Sequence, residues 1–162
     1  RRPVAPGEVG EIHVRSPGLM QGYYRAPELT AAVIDAEGWF NTGDLARMRD
    51  GALWIVGRSK ELIIRSGFNV YPPEVEAVLN AHPDVTLSAV VGRAVPGNEE
   101  VVAFVQLRPG AAMSAEELAG FAAGRLAPYK RPAEIVLLDA MPTNPTGKIL
   151  KQQLVRQAAT QR

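Results

Sequence analysis

The stretch that decides the fold class is PPEVEAVLNAHPDVTLSAVVGRAVPGNEEVVAFVQL, residues 72–107. Its first part predicts a helix. Pro73 suits the first helical turn, where the missing backbone N–H has no partner to lose, and Pro83 ends the helix. Three apolar residues recur at helical spacing and share the face that packs on a core: Val75, Val78 and Leu79.

The second part of this stretch predicts two strands. Residues 87–95 and 101–107 are apolar runs rich in valine, and the residues between them include the turn signal Pro96-Gly97-Asn98. Working outward toward the N-terminus, residues 62–65 are a further short apolar strand, and Ser-Gly-Phe-Asn at 66–69 is a turn.

Toward the C-terminus the pattern predicts two more helices and one strand. Ser114 followed by Glu117 is a capping-box signature, and it begins a helix that runs to about Leu126. A strand at 135–138 and a loop at 141–147 lead to a final helix with an apolar stripe: Leu150, Leu154, Val155 and Ala158. These elements predict an α+β domain over about residues 60–160, with a mostly antiparallel central sheet flanked by helices.

The first third of the chain, residues 1–56, is rich in loops and predicts a β-rich piece of structure. The expected elements are a strand at 9–14, a short helix at 27–34 and strands at 39–41 and 52–56, the last preceded by a turn at 49–51. The apolar faces of these strands would be exposed unless a second copy covers them, so this surface is a candidate homodimer interface.

Composition excludes several classes of function. The 162 residues contain no cysteine, two histidines, 18 basic and 17 acidic side chains, for a net charge of +1. There is therefore no disulfide framework and no thiolate metal site, and His13 and His82 lack a third ligand, so no metal site is expected. The balanced charge gives no excess of basic residues of the kind that binds nucleic acid. No apolar run reaches membrane-spanning length. The chain begins without Met in a stretch typical of the middle of a protein, so a fragment is expected.

Three segments carry candidate chemistry, each with an ordinary structural alternative. The segment Asn41-Thr42-Gly43-Asp44-Leu45 predicts a turn that holds a carboxylate in place, where it can accept hydrogen bonds from vicinal hydroxyls of a ligand. The alternative is that Asp44 only stabilises the turn. Residues 57–72 combine charges and glycines with a short apolar strand, which is also the pattern of a β-hairpin with a charged edge. In residues 142–149 a loop braced by Pro and Gly presents Lys148 to a phosphate or carboxylate, or Lys148 is a solvated cation in the first turn of a helix.

In this order and spacing, the three segments resemble the carboxyl-terminal portion of the ANL superfamily, which comprises acyl-CoA synthetases, adenylation domains of peptide synthetases and firefly-type luciferases. The resemblance implies that residues 1–58 are the end of a large N-terminal adenylating domain and that 59–162 are a mobile C-terminal domain. It also implies a two-step reaction, in which that domain rotates between acyl-AMP formation and transfer to a thiol. The matching segments cover nearly the whole chain: residues 7–12, 22–24, 38–44, 57–72, 128–132 and 142–149.

The same resemblance implies roles for single residues. Asp44 matches the aspartate that binds the ribose hydroxyls, and Arg58 matches the arginine that contacts the nucleotide. Lys148 matches the catalytic lysine that reaches the α-phosphate and the substrate carboxylate during adenylation. Lys60 falls at the hinge position, where many members have Asp.

The turn formed by Ser66, Gly67 and Phe68 matches the segment that approaches the nucleotide and lines the pantetheine tunnel for CoA. Asn98 departs from the family pattern, which often has Gly at the position before the glutamate that is Glu99 here. Lys130 and Arg131 are interpreted as a solvated basic pair, with contact to CoA phosphates as the alternative.

The segment Arg-Ser-Gly-Phe-Asn-Val-Tyr-Pro at 65–72 looks like the acyl-CoA synthetase version, so the parent is expected to be an AMP-forming carboxylate–CoA ligase. The implied substrates are a carboxylic acid, ATP with Mg²⁺, and CoA; the expected setting is fatty acid metabolism in the cytoplasm. The phosphate loop and the acyl pocket belong to the large domain that this sequence lacks, so the chain alone is expected to be inactive, to bind no cofactor tightly and to need that domain in cis. The alternatives are a peptide-synthetase adenylation domain, a luciferase-like oxidase and a non-catalytic module that binds nucleotide or CoA.

Overall fold

The computed structural model describes residues 2–160, and the chain divides between Lys60 and Glu61 into two compact units. We call them the N-terminal unit and the C-terminal unit. The division lies two residues beyond the boundary expected from the sequence at 58/59. The assignment of the two units to a large and a mobile domain stays a prediction.

The N-terminal unit is a three-stranded antiparallel sheet in the order β1-β2-β3 with one short helix. Its elements are β1 (Val9–Val14), α1 (Pro27–Ala31), β2 (Phe40–Arg49) and β3 (Ala52–Arg58). The helix is shorter than the expected 27–34.

The turn expected at residues 42–44 is wrong, because β2 runs through it. At Gly43 the backbone has a φ of +72°, a conformation that glycine adopts at little cost, and the strand continues beyond this residue. The register with β3 then shifts between Leu45 and Ala46, as in a β-bulge. A segment that looks like a turn in the sequence is therefore an irregular part of a long strand.

Apolar side chains near the β2–β3 turn are exposed. Met48, Leu53, Trp54 and Ile55 each keep 51–61% of their surface accessible. Homodimerisation through this face stays a prediction.

The C-terminal unit has the α+β fold expected from the sequence. A hairpin of β4 (Ile63–Arg65) and β5 (Phe68–Val70) precedes a sheet formed, in this order, by β6 (Val85–Val95), β7 (Asn98–Leu107) and β8 (Glu134–Leu138). Strands β6 and β7 are antiparallel, and β7 and β8 are parallel. The chain crosses from β7 to β8 through a helix, which allows the parallel pairing. The α-helices of this unit are α2 (Pro72–Asn80), α3 (Ala115–Ala123) and α4 (Lys151–Thr160).

The core of this unit lies on both faces of the sheet. On β7, residues Val101, Ala103 and Val105 point to one face and Val102 and Phe104 to the other, as the period of a strand requires. The first face packs against α2 and α3 through Val75, Leu79, Leu118 and Ala122, and the second against α4 through Leu154 and Ala158. A strand covered on both sides is apolar at successive positions, which explains the unbroken valine-rich run in the sequence.

Several element ends differ from the sequence expectation. The turn expected at 66–69 contains only Ser66 and Gly67, because Phe68 already pairs with Arg65 in the β4–β5 hairpin. Helix α3 ends at Ala123 rather than near Leu126, although the capping box between Ser114 and Glu117 is formed as expected.

Among residues 2–160, none of the helices combines the length and apolar character needed to cross a lipid bilayer.

Candidate functional site

Asp44 and Arg58 are direct partners across the antiparallel strands β2 and β3. Arg58 Nε donates to Asp44 Oδ1 at 2.9 Å, and Arg58 Nη2 donates to the carbonyl of Thr42 at 3.1 Å. The two side chains remain 36% and 51% exposed, respectively. In the part of the chain that the structure describes, no donor contacts Asp44 Oδ2, so this oxygen can accept a hydrogen bond from a ligand.

Side-chain hydrogen bonds hold the backbone around Asp44. Its N–H donates to Thr42 Oγ1 at 3.0 Å, and that hydroxyl donates to the carbonyl of Ile12 on β1 at 3.0 Å. The N–H of Gly43 donates to Asn41 Oδ1 at 2.8 Å, and Ser59 Oγ donates to the Gly43 carbonyl at 3.3 Å. The carboxylate is thus presented from a braced backbone, an arrangement that suits recognition of hydroxyl groups.

Lys148 lies in a loop that one asparagine organises. Asn144 Oδ1 accepts hydrogen bonds from the N–H of Thr146 at 3.1 Å, from Thr146 Oγ1 at 2.8 Å and from the N–H of Lys148 at 2.8 Å. A β-bridge between Thr143 and Ile149 closes the loop. The backbone at Lys148 is therefore fixed on both sides.

The Lys148 side chain is exposed, and within residues 2–160 no acidic group forms an ion pair with it. The residue precedes α4, which begins at Lys151, so Lys148 is solvent-exposed as its structural alternative expects but lies outside the first turn of the helix. An ammonium group on a braced loop with no protein counter-charge can serve an anionic ligand.

The turn at Ser66 and Gly67 connects β4 to β5, and both residues have positive φ angles, +51° and +80°. Phe68 follows the turn and stacks on Tyr129 with ring centroids 4.7 Å apart, yet it stays 55% exposed. Arg65 Nη1 donates to the carbonyl of Arg131 at 2.6 Å. The hairpin is thus attached to the segment around residue 130.

Lys130 and Arg131 are not the solvated basic pair expected from the sequence. Lys130 Nζ forms an ion pair with Glu74 at 2.5 Å, and Arg131 Nε donates to the Leu126 carbonyl at 3.1 Å. Burial by itself lowers the pKa of Lys130, but the hydrogen bond and charge of Glu74, with help from Tyr129, outweigh it and leave the pKa raised. Both cations therefore support local structure.

Lys60 is exposed in a short 3₁₀ turn, Ser59–Glu61, at the end of the N-terminal unit. The next residue, Glu61, accepts from Lys151 Nζ at 2.7 Å, and Glu76 on α2 lies 2.9 Å from the same ammonium group. Burial lowers the pKa of Lys151, but these two carboxylates outweigh it and the pKa is raised. Lys151 thus connects the start of α4 to the start of the C-terminal unit.

The structure brings Asp44 and Arg58 together in the N-terminal unit, whereas Lys148 and the 66–68 turn belong to the C-terminal unit. Sequence reasoning missed the supporting contacts of Asn144, Lys151 and Asn98; the last of these accepts a hydrogen bond from the N–H of Ser66 at 2.7 Å. Asn-Pro-Thr-Gly at 144–147 is a turn signal that could have revealed Asn144. The contacts of Lys151 and Asn98 join residues far apart in sequence and leave no local signal.

Comparison with known proteins defines the class of the C-terminal unit. Residues 74–148 match the family described as the AMP-binding enzyme C-terminal domain. This match lies within the C-terminal unit, and it confirms the ANL resemblance.

Relatives of this chain include named CoA ligases, and the similarity extends over both units. The chain is 44% identical to 2-succinylbenzoate–CoA ligase of Geobacillus kaustophilus over 157 residues, which is 96% of this chain and 32% of that protein. It is 43% identical to a long-chain-fatty-acid–CoA ligase of Bacillus subtilis, over 94% of this chain and 28% of the relative. The ATP-bound structure of MatB from Rhodopseudomonas palustris shows the same fold, with a TM-score of 0.88 and 35% identity over 97% of this chain and 32% of that one.

The chain spans about a third of the length of these relatives. Over this third, the chain is similar to named CoA ligases and to an adenylate-forming enzyme of known structure.

Proposed function

We propose that this chain works as the C-terminal part of an AMP-forming acid–CoA ligase. The observation that carries the proposal is the similarity of both units to CoA ligases. It is joined by the ammonium group of Lys148, which has no ion-pair partner among residues 2–160 and lies on a loop braced by Asn144. The parent enzyme uses a carboxylic acid, MgATP and CoA, and the missing part of the adenylating domain supplies the acyl pocket and the phosphate loop.

In the first half-reaction, a carboxylate oxygen attacks the α-phosphorus of ATP. The bond to the β-phosphate oxygen breaks, so pyrophosphate leaves and an acyl-AMP remains. Lys148 stabilises the negative charge that gathers on the phosphoryl oxygens in the transition state, because its ammonium group has no competing carboxylate within residues 2–160.

In the second half-reaction, the CoA thiolate attacks the acyl carbon, and AMP leaves as the bond to the phosphate oxygen breaks. The turn at Ser66, Gly67 and Phe68 lines the path of the pantetheine group. Rotation of the C-terminal unit about Lys60 moves Lys148 away from the reacting groups and brings this turn to them, so one domain serves both steps.

The nucleotide remains bound through both steps by Asp44 and Arg58. Asp44 Oδ2 accepts from the ribose hydroxyls, while Oδ1 holds the guanidinium of Arg58 at 2.9 Å. Arg58 presents the rest of its planar donor set to the nucleotide.

The experiment uses a chimera that we call the test ligase. In it, the region of the Geobacillus kaustophilus 2-succinylbenzoate–CoA ligase that matches this chain, 32% of that protein, is replaced by residues 1–162 of this chain. We expect pyrophosphate release with 2-succinylbenzoate and ATP, and thioester formation once CoA is added. The intact Geobacillus enzyme is the positive control, and the 162-residue chain alone is expected to form no thioester from acyl-AMP and CoA.

Each alternative class of protein predicts a different result. A test ligase that adenylates but transfers the acyl group only to a carrier protein would indicate a peptide-synthetase domain. Binding of nucleotide without either half-reaction would indicate a non-catalytic module. A screen of carboxylic acids on the complete parent enzyme identifies its substrate and tests the proposed setting in fatty acid metabolism, which the similarity to a long-chain-fatty-acid–CoA ligase of Bacillus subtilis supports. A cytoplasmic location stays a prediction.

A further inference from the structure

The tip of the β4–β5 hairpin has a backbone shape that its own sequence does not favour. A two-residue turn with positive φ at both positions usually contains Asn-Gly or Asp-Gly, because few other residues adopt this conformation without strain. Here Ser66 stands at the first position with φ +51°. An interaction from outside the hairpin is therefore needed to hold Ser66 in this conformation.

Asn98 supplies that interaction from the start of β7. Its Oδ1 accepts from the N–H of Ser66 at 2.7 Å, and its Nδ2 donates to Ser66 Oγ at 3.3 Å. One amide side chain thus satisfies a backbone donor and a side-chain acceptor of the same residue. The adjacent Glu99 continues the contact, since its Oε2 accepts from the N–H of Ile64 at 2.5 Å.

The contact acts on the tip of the hairpin and not on its base. At the base, Ile63 and Val70 are partners and are almost fully buried, 1% and 0% exposed, in the core of the unit. Loss of the Asn98 amide therefore leaves the hairpin in register and releases only the turn.

We propose that Asn98 is a positioning residue for the thioester-forming half-reaction. It holds the Ser66-Gly67 turn in the conformation that leaves room for the pantetheine group of CoA to pass along it. This inference rests on the function proposed above for the turn. It assigns a role to the residue at which this sequence departs from the glycine common in the family.

The activity test compares the two half-reactions in the test ligase. Asn98→Ala is expected to lower kcat/KM for CoA, measured with supplied 2-succinylbenzoyl-AMP, by roughly tenfold, because two hydrogen bonds are lost. The rate of ATP–pyrophosphate exchange without CoA should change less than twofold, since the Lys148 loop is separately braced by Asn144.

Asn80→Ala is the matched control, because Asn80 Oδ1 also accepts a side-chain hydrogen bond, from Ser88 Oγ at 2.8 Å, in the same unit. A general loss of stability would affect this variant as much and would lower both half-reactions together. Equal losses in both half-reactions of Asn98→Ala, or an unchanged kcat/KM for CoA, overturn the proposal.

A second measurement does not depend on enzyme activity. In the 162-residue chain, amide hydrogen exchange at Ser66 should be roughly tenfold faster in Asn98→Ala than in the wild type, whereas Asn98→Asp keeps an acceptor and retains protection. Unchanged exchange at Ser66 in Asn98→Ala overturns the positioning role. An inactive wild-type test ligase counts against the proposed function, and the exchange result then decides whether Asn98 holds the turn.

Discussion

Asp44 and Arg58 face each other across two antiparallel strands and share a hydrogen bond of 2.9 Å between Oδ1 and Nε. Both side chains are partly exposed, and an exposed ion pair contributes only about 0–1 kcal/mol to stability. The network that fixes their backbone is more extensive than such a pair needs for stability alone. This contrast supports a binding role and leads to the first prediction.

Asp44→Asn in the test ligase should raise KM for ATP by roughly tenfold with little change in the free energy of unfolding. The neutral amide accepts weaker hydrogen bonds from ribose hydroxyls and no longer attracts Arg58. Steady-state kinetics with varied ATP measures this effect. Asp50→Asn is the control, because Asp50 forms a similar exposed pair with Arg49 at 3.4 Å; an equal shift in both variants would refute the role of Asp44.

Lys148→Ala should slow adenylation by roughly 10²–10³-fold, since the charge on the phosphoryl oxygens loses a positioned cation. Thioester formation from supplied acyl-AMP should remain largely intact. Pyrophosphate exchange and single-turnover thioester assays measure the two rates. Arg156→Ala removes an exposed cation from α4 as a control, and equal loss in both half-reactions would count against Lys148 as the adenylation lysine.

Lys60→Pro should stall the second half-reaction, because the proline ring fixes φ at about −65° and limits rotation at this residue. Adenylation should continue, so acyl-AMP accumulates on the test ligase and can be measured after quenching. Lys60→Ala keeps the rotational freedom and should behave like the wild type. CoA-dependent turnover that is unchanged in Lys60→Pro would show that the hinge lies elsewhere.

Lys151→Met should lower the free energy of unfolding at pH 7 by about 2 kcal/mol, because Glu61 and Glu76 lose their shared cation in a half-buried site. Arg156→Met, on the same helix but exposed, should change it little. Urea unfolding of the 162-residue chain measures both variants.

The effect of Lys151 should also depend on pH. Its pKa is raised in the folded chain, so its contribution is complete below the ordinary lysine value of about 10.4 and is lost as the pH rises through the folded value. The stability gap between wild type and Lys151→Met should therefore narrow in alkaline solution. A gap that widens above pH 10 would contradict the assigned ion pairs.

The fold of the C-terminal unit could be predicted from local patterns to a large extent. The helical face of Val75, Val78 and Leu79 and the capping box at Ser114 are encoded within a few residues. The path through residues 42–44 could not be predicted in the same way. Thr-Gly-Asp is a turn signal by composition, but strand β2 continues through it, and Asp44 pairs with Arg58 on β3.

The candidate site shows the same division. The motifs around Asp44, Arg58 and Lys148 imply nucleotide chemistry through the family that they resemble, and the resemblance can be seen from residue types and spacing in the sequence. The contacts of Lys130 and Arg131 could not be predicted from the sequence, because packing determines that Glu74 and Leu126 lie next to them. Charge alone predicts that both side chains are solvated, whereas in the folded chain both cations make contacts that stabilise the local structure.

By itself, the sequence determined the α+β class of the C-terminal unit, the family resemblance and the residues that carry the proposed chemistry, because these depend on short periodic patterns and motif spacing. Only the tertiary structure decided how those residues are held. The contacts from Asn98 to Ser66 and from Lys151 to Glu61 span 32 and 90 positions along the chain. Such contacts depend on how the sheet and helices pack, and no local rule of sequence contains that information.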